Sequence, residues 1–193
     1  MFRLFLIVVA ALAMAATAVA QAGSWQLDSK NSAAQFSVRH LGLATVRGAF
    51  TKFSGTAKYD PADPSKTSLD ATIDASSIDT RVEARDKDLR SPHFFDVEKY
   101  PTITFHSRQA KAEGSGRLQI TGDLTIHGVT KEVVLDVDGP SAPIKDPWGN
   151  QRIGATATTR INRNDFGVTA DPGIVGDEII ITIDAELTQP QPK

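Results

Sequence analysis

From Glu178 to Leu187 the chain changes polarity at nearly every step. Ile179, Ile181, Ile183, Ala185 and Leu187 fall on one side; Thr182, Asp184 and Glu186 fall on the other. The same period runs through Arg117–His127, where Leu118, Ile120, Gly122, Leu124 and Ile126 oppose Gln119, Thr121, Asp123 and Thr125. It recurs in Ala34–His40 and Thr67–Asp74. Successive side chains of a strand point to opposite faces, so this period marks antiparallel strands with one buried and one wet face. Runs at 43–51, 52–60, 102–109, 131–138 and 152–162 continue the pattern. Turn chemistry separates them at Asp60–Pro64, Glu113–Gly116, His127–Thr130 and Asp146–Asn150. Eight or nine such strands without a linker predict one all-β domain, closed as an up-and-down barrel or packed as a sandwich.

The N-terminus reads differently. Arg3 precedes 13 unbroken apolar residues, Leu4–Ala16, and then Ala18-Val19-Ala20 and Ala20-Gln21-Ala22 offer small-x-small cleavage sites. That order is a secretory signal peptide, residues 1–20, cut after Ala20 or Ala22. The run is shorter than the roughly 20 residues a spanning helix needs. Removing 20 of 193 residues leaves 173, and losing Arg3 takes the net charge from −2 to −3. An acidic chain has no electrostatic footprint for nucleic acid. With no cysteine there is neither disulfide nor thiolate chemistry, so the domain, 23–188, must rest on its core. Residues 189–193 read as a frayed tail. Periplasmic localisation follows from this reading.

Residues 81–96, RVEARDKDLRSPHFFD, interrupt the strands with dense charge running into aromatics. Thr80 followed by Glu83 has the spacing of a capping box, predicting a helix from Arg81 with Val82 and Leu89 facing inward. Ser91-Pro92 then turns the chain towards Phe94 and Phe95, apolar surface for a lid at a barrel mouth. Parity sets Ala34, Gly48, Ala57, Ala71, Gly122, Ala155, Ala157 and Ala185 among the bulky inward residues. They predict either a lumen with room for a ligand or a core in which neighbours fill the gaps.

Catalytic signatures are lacking: no nucleophile elbow, no His-Glu-x-x-His, no phosphate loop, no dinucleotide fingerprint. His40, His93, His106 and His127 are scattered, and no two have metal-ligand spacing. His106 and His127 fall on polar strand faces. His40 shares parity with Phe36 and Val38, so it is either a polar group at depth or a core histidine bonded to backbone. No cofactor and no metal are expected.

Several motifs in order carry a resemblance. They are Phe36-Ser-Val-Arg-His40, Val46-Arg-Gly-Ala-Phe50, Arg85-Asp86-Lys-Asp88-Leu89, Phe94-Phe95-Asp96, Tyr100-Pro-Thr-Ile-Thr-Phe105, Gly122-Asp-Leu-Thr-Ile-His-Gly128, Asp146-Pro-Trp-Gly149 and Arg163-Asn-Asp165-Phe166-Gly167. From Trp25 to about Leu187 the chain resembles the YceI-like family of periplasmic polyisoprenoid-binding proteins. The resemblance implies a lipocalin-like antiparallel barrel of eight strands or slightly more, with the 81–96 helix inserted. It implies an apolar lumen that holds a polyisoprenoid, quinone-type or other long lipid for transport, storage or protection, without turnover. Membrane contact would be transient, for lipid exchange. The oligomeric state is left open, with a dimer as one outcome.

On this reading Phe36, Val38, His40, Phe50, Phe53, Phe94, Phe105, Ile120, Leu124 and Ala157 line or close the lumen. Arg85 and Asp86 either pair with each other at the mouth or meet the head group. The alternative is a lipid-modifying enzyme using a lumen histidine and an aspartate. Two positions depart from the family pattern: Asp88 stands where histidine is usual, and His93 where aspartate often precedes the aromatic pair.

Overall fold

The structure, a computed structural model, describes residues 23–189. The expected signal peptide and residues 190–193 of the expected tail lie outside the described residues, and Gln189 ends the last strand. Twelve strands form one antiparallel sheet: β1 (Gly23–Leu27), β2 (Ala33–His40), β3 (Ala44–Phe50), β4 (Phe53–Tyr59), β5 (Ser68–Asp74), β6 (Ile78–Asp79), β7 (Thr102–Gly114), β8 (Arg117–Ile126), β9 (Val129–Asp138), β10 (Ile144–Lys145), β11 (Gln151–Asn162) and β12 (Val175–Gln189). One helix, α1 (Glu83–Arg90), joins them. The sheet closes where β11 pairs with β12 from Gln151↔Gln189 to Asn162↔Glu178.

The ring runs β12-β1-β4-β5-β7-β8-β9-β11, eight strands. This is the expected closed barrel, and a sandwich is excluded. Of the four extra strands, β10 lies beside β11 at Ile144↔Arg152, and the other three come from breaks. β1 and β2 lie end to end along β12, at Leu27↔Leu187 and Ala33↔Asp184. β3 and β4 follow end to end beside them, and β6 and β5 beside those. Periodicity predicts the long strands; β6 and β10, two residues each, are too short to show any.

Hairpin geometry also follows the sequence. The β8–β9 turn places His127 and Gly128 at φ 51° and 74°, the left-handed pair that a two-residue hairpin needs.

Four connections gather at one end: β2–β3, the 75–101 insertion, β8–β9 and β11–β12. The insertion leaves and returns on adjacent strand ends, with Asp74 opposite Thr102 and the Ala75 N–H donating to the Pro101 carbonyl at 2.9 Å. At the other end a polar network braces the 139–150 connection. Asp146 accepts hydrogen bonds from the Trp148 N–H (2.9 Å), the Asn150 N–H (2.8 Å), Asn150 Nδ2 (3.1 Å) and Arg152 Nε (2.8 Å). Arg152 also meets Asp28 at 3.0 Å, and Glu186.

Burial pushes the Asp146 carboxyl up, but the Arg152, Asn150 and Trp148 donors outweigh it and hold the pKa down to about 2. A carboxyl held below its unfolded value of about 3.9 contributes stability above that value and loses it as pH falls through the folded pKa. The urea midpoint should therefore drop between about pH 4 and pH 2, and Asp146→Asn should flatten part of that drop. An acid limb that the substitution leaves unchanged would exclude the linkage.

Candidate functional site

The inward residues of the barrel enclose a cavity of about 280 Å³, near the low end for small-molecule sites. Its wall is apolar: Ile179, Ile181 and Ile183 from β12, Ile120 and Leu124 from β8, Phe105 from β7. Among the described residues no histidine, aspartate, glutamate or lysine lines it, and its ionisable side chains are Tyr59 and Arg163. The far end is closed by a second cluster in which Trp25 is buried with Ile153 and Leu187.

Of the residues singled out from sequence, Phe36, Val38, Phe50, Phe53, Phe94, Phe105, Ile120, Leu124 and Ala157 all line this cavity. His40 does not, which corrects the parity argument. It is exposed, the last residue of β2, opposite Val175 and Ala44. Parity sets the face of a strand, not how far the barrel follows it, and β2 runs past the rim.

A second correction concerns the small residues. Gly48 and Gly122 leave no space. A Cβ on Gly48 would lie 2.4 Å from Phe36 Cζ, and one on Gly122 2.5 Å from Phe105 Cζ. The rings already occupy the room that the glycines vacate. Cavity space borders the alanines instead: Ala34, Ala57, Ala71, Ala155, Ala157 and Ala185 all line it.

The lid is built differently from its sequence signal. Arg81 takes φ 65° and α1 starts at Glu83, so Val82 is exposed rather than inward. No side chain caps the helix. Thr80 is occupied elsewhere: its N–H and hydroxyl both donate to Asp86 Oδ1, at 2.9 and 2.5 Å. Arg85 donates to the Thr80 hydroxyl oxygen (2.7 Å) and carbonyl (3.0 Å). Arg85 and Asp86 thus both grip Thr80 instead of pairing with each other, and neither lines the cavity. Asp86 is buried, and so is Thr80. Arg90 extends the clamp by donating to the Ser76 and Ile78 carbonyls, both at 2.8 Å. At Ser91-Pro92 the chain turns as expected: α1 ends there, and the Ser91 N–H donates to the Asp88 carbonyl.

Under the lid, Phe36, Phe50 and Phe95 form a chain of rings with centroids 5.8 and 6.1 Å apart. Leu89 and Phe94 complete this wall. Asp88 and His93, the two departures from the family pattern, face each other, with His93 Nδ1 3.2 Å from Asp88 Oδ1. His93 Nε2 lies 3.7 Å from Asp171 in the β11–β12 loop.

That loop is held by a residue that the sequence reading did not single out for any role. Arg163 is buried, and all five of its N–H groups are engaged. Nε donates to the Gly176 carbonyl (3.1 Å), and Nη1 to those of Val168 (2.9 Å) and Ala170 (2.7 Å). Nη2 donates to the Val175 carbonyl (3.0 Å) and to Asp177 (3.4 Å). A signal exists: Arg163 continues the inward parity of Ile153–Ile161, where a charge is out of place.

The YceI-like domain model matches residues 25–187. A UPF0312 protein of Vibrio cholerae is 41% identical over 151 residues, 77% of this chain and 79% of that one. The crystal structure of Burkholderia cenocepacia BcnA is 27% identical, with a TM-score of 0.74 over 83% of this chain and 98% of that one. A polyisoprenoid binding domain from Saccharophagus degradans, implicated in plant cell wall breakdown, shares the fold. Its TM-score is 0.63 at 17% identity, over 88% of this chain and all of that one.

Proposed function

The chain belongs to the YceI-like domain family, and from that membership we propose that it is a lipid-binding protein. It holds a polyisoprenoid or isoprenoid-quinone-type chain in the barrel lumen for transport, storage or protection. The observation that carries this reading is the cavity itself, capped by aromatic rings at the lid end and free of carboxylate and imidazole along its wall among the described residues. Each CH₂ that leaves water for such a wall contributes about 0.8 kcal/mol, so a long branched chain binds without strong polar contacts. The similarity in fold to a polyisoprenoid binding domain is consistent with this.

The role is binding without turnover. General acid–base chemistry needs a titratable group within reach of the substrate. His40, the residue on which the enzyme alternative rests, is exposed beyond the rim. Of the two ionisable side chains on the wall, Arg163 has every donor committed to the loop, and burial pushes the Tyr59 phenol up, away from the ionised form a base needs. Export to the periplasm, as the N-terminal segment suggests, would place the protein beside the membranes that hold such lipids.

Solvent extraction of purified protein followed by mass spectrometry tests the proposal. The expected result is a long isoprenoid-type lipid in a fixed ratio to protein. Repeated extraction of no lipid, including from protein made in its native host, would sink it.

A further inference from the structure

We propose that the β2–β3 hairpin is a membrane-docking finger that sets the mouth of the barrel on an anionic phospholipid surface. The inference rests on the lipid-binding reading and names where exchange takes place. Its first observation is a turn with the wrong residue. Leu41 and Gly42 both have positive φ, 52° and 68°, and the Leu43 N–H donates to the His40 carbonyl at 2.9 Å. Between His40 and its partner Ala44, a turn with two successive left-handed residues calls for Asn, Asp or Gly at the first of them. A bulky residue there is a conformational outlier, and outliers of this sort gather at functional sites.

Burial offsets only part of that cost, because the residue is 52% exposed. Leu43 is 80% exposed beside it. The Leu41 N–H donates to the Ile174 carbonyl at 2.7 Å, which brings a third apolar residue, 45% exposed, to the same tip.

Charge identifies the partner. The protein is acidic, yet residues 33–50 contain no aspartate or glutamate and carry Arg39, Arg47 and His40. Arg39 makes no ion pair among the described residues. It donates to the Gly42 and Leu43 carbonyls at 2.7 and 2.8 Å and to Thr45 Oγ1 at 2.9 Å, which fixes a guanidinium just behind the leucines. Arg47, opposite Ser37 on the same outer face, is also without an ion pair among the described residues. In the adjoining loop Asp171 lies 3.7 Å from His93 Nε2, and Asp177 at the start of β12 meets Arg163, while Asp165 makes no ion pair among the described residues. Apolar residues at a tip with arginines behind them match the layering of an anionic bilayer surface, hydrocarbon below and phosphate above. The finger stands at the lid end of the barrel, so docking there faces the mouth towards the lipid.

Flotation with phosphatidylcholine vesicles, with and without phosphatidylglycerol, tests the finger. Wild-type protein should float with the anionic vesicles, and less so as salt rises. Leu41→Asn with Leu43→Ser should weaken binding by about tenfold or more. Its thermal stability should be unchanged or higher, since Asn suits the turn. Arg47→Gln should weaken it by about fivefold. Wild-type protein that stays off anionic vesicles overturns the proposal, as does a double variant that floats equally well. Self-association that the double variant abolishes, without flotation of the wild type, would assign the patch to a second copy and also overturn it. Uptake of a fluorescent fatty acid in vesicle-free solution reads the lumen separately. Protein that takes up the probe yet never floats removes the docking finger and leaves the lumen reading standing.

Discussion

Arg163→Met should lower the unfolding free energy by roughly 3 kcal/mol or more, and amide exchange across residues 167–176 should accelerate. Hydrogen bonds from a charged donor contribute about 1.5–3 kcal/mol each, and a buried carbonyl left without a partner costs about 1–3 kcal/mol. Arg163 serves the carbonyls of Val168, Ala170, Val175 and Gly176. The sum is smaller than the parts, because a released loop can turn some carbonyls to water. Lysine has three donors on one nitrogen and cannot span these acceptors as a planar fork does, so Arg163→Lys should recover only part of the loss. Denaturant titration reads both variants. A loss below about 1 kcal/mol with loop exchange unchanged would show that the loop holds itself.

The second large effect concerns capacity. Ala157 sits on β11 between Ile183 of β12 and Val137 of β9, and borders the cavity. Ala157→Trp should fill much of the 280 Å³ and reduce co-purifying lipid by about tenfold or more. The lost burial of only two CH₂ groups of ligand already corresponds to that factor. Overpacking a filled core costs about 1–3 kcal/mol or more. A tryptophan entering existing space should cost less. Lipid content and melting temperature, measured on the same preparation, separate these cases. Unchanged lipid content would place the ligand outside this cavity.

Legibility from sequence varied with the range of the interaction. The strands were legible because alternation is local: each residue of β8 or β12 declares its face by its own polarity. The apolar wall followed from the same parity, which is why Phe36, Phe105, Ile120 and Leu124 fall where alternation assigns them. The lid misled for an equally local reason. Thr80 and Glu83 have capping-box spacing, but Asp86 competes for the same hydroxyl and takes it. Val82 is consequently outside the helix and in solvent. Gly48 and Gly122 misled because a missing side chain reads as space, and only the neighbouring strand shows which ring fills it.

What the sequence by itself determined was the β class, the inward and outward faces, the hairpin turns and the family. Each depends on neighbours one to three residues apart, or on motifs in register. The tertiary structure alone decided where the barrel closes and which inward residues border a cavity. It also decided that His40 lies past the rim, that Asp88 and His93 form a pair, and that Arg163 holds a loop up to 14 residues away. These are properties of atoms brought together by barrel closure and by the folding of the 75–101 insertion and the β11–β12 loop. They depend on how far each strand extends in space, which a two-residue period does not encode.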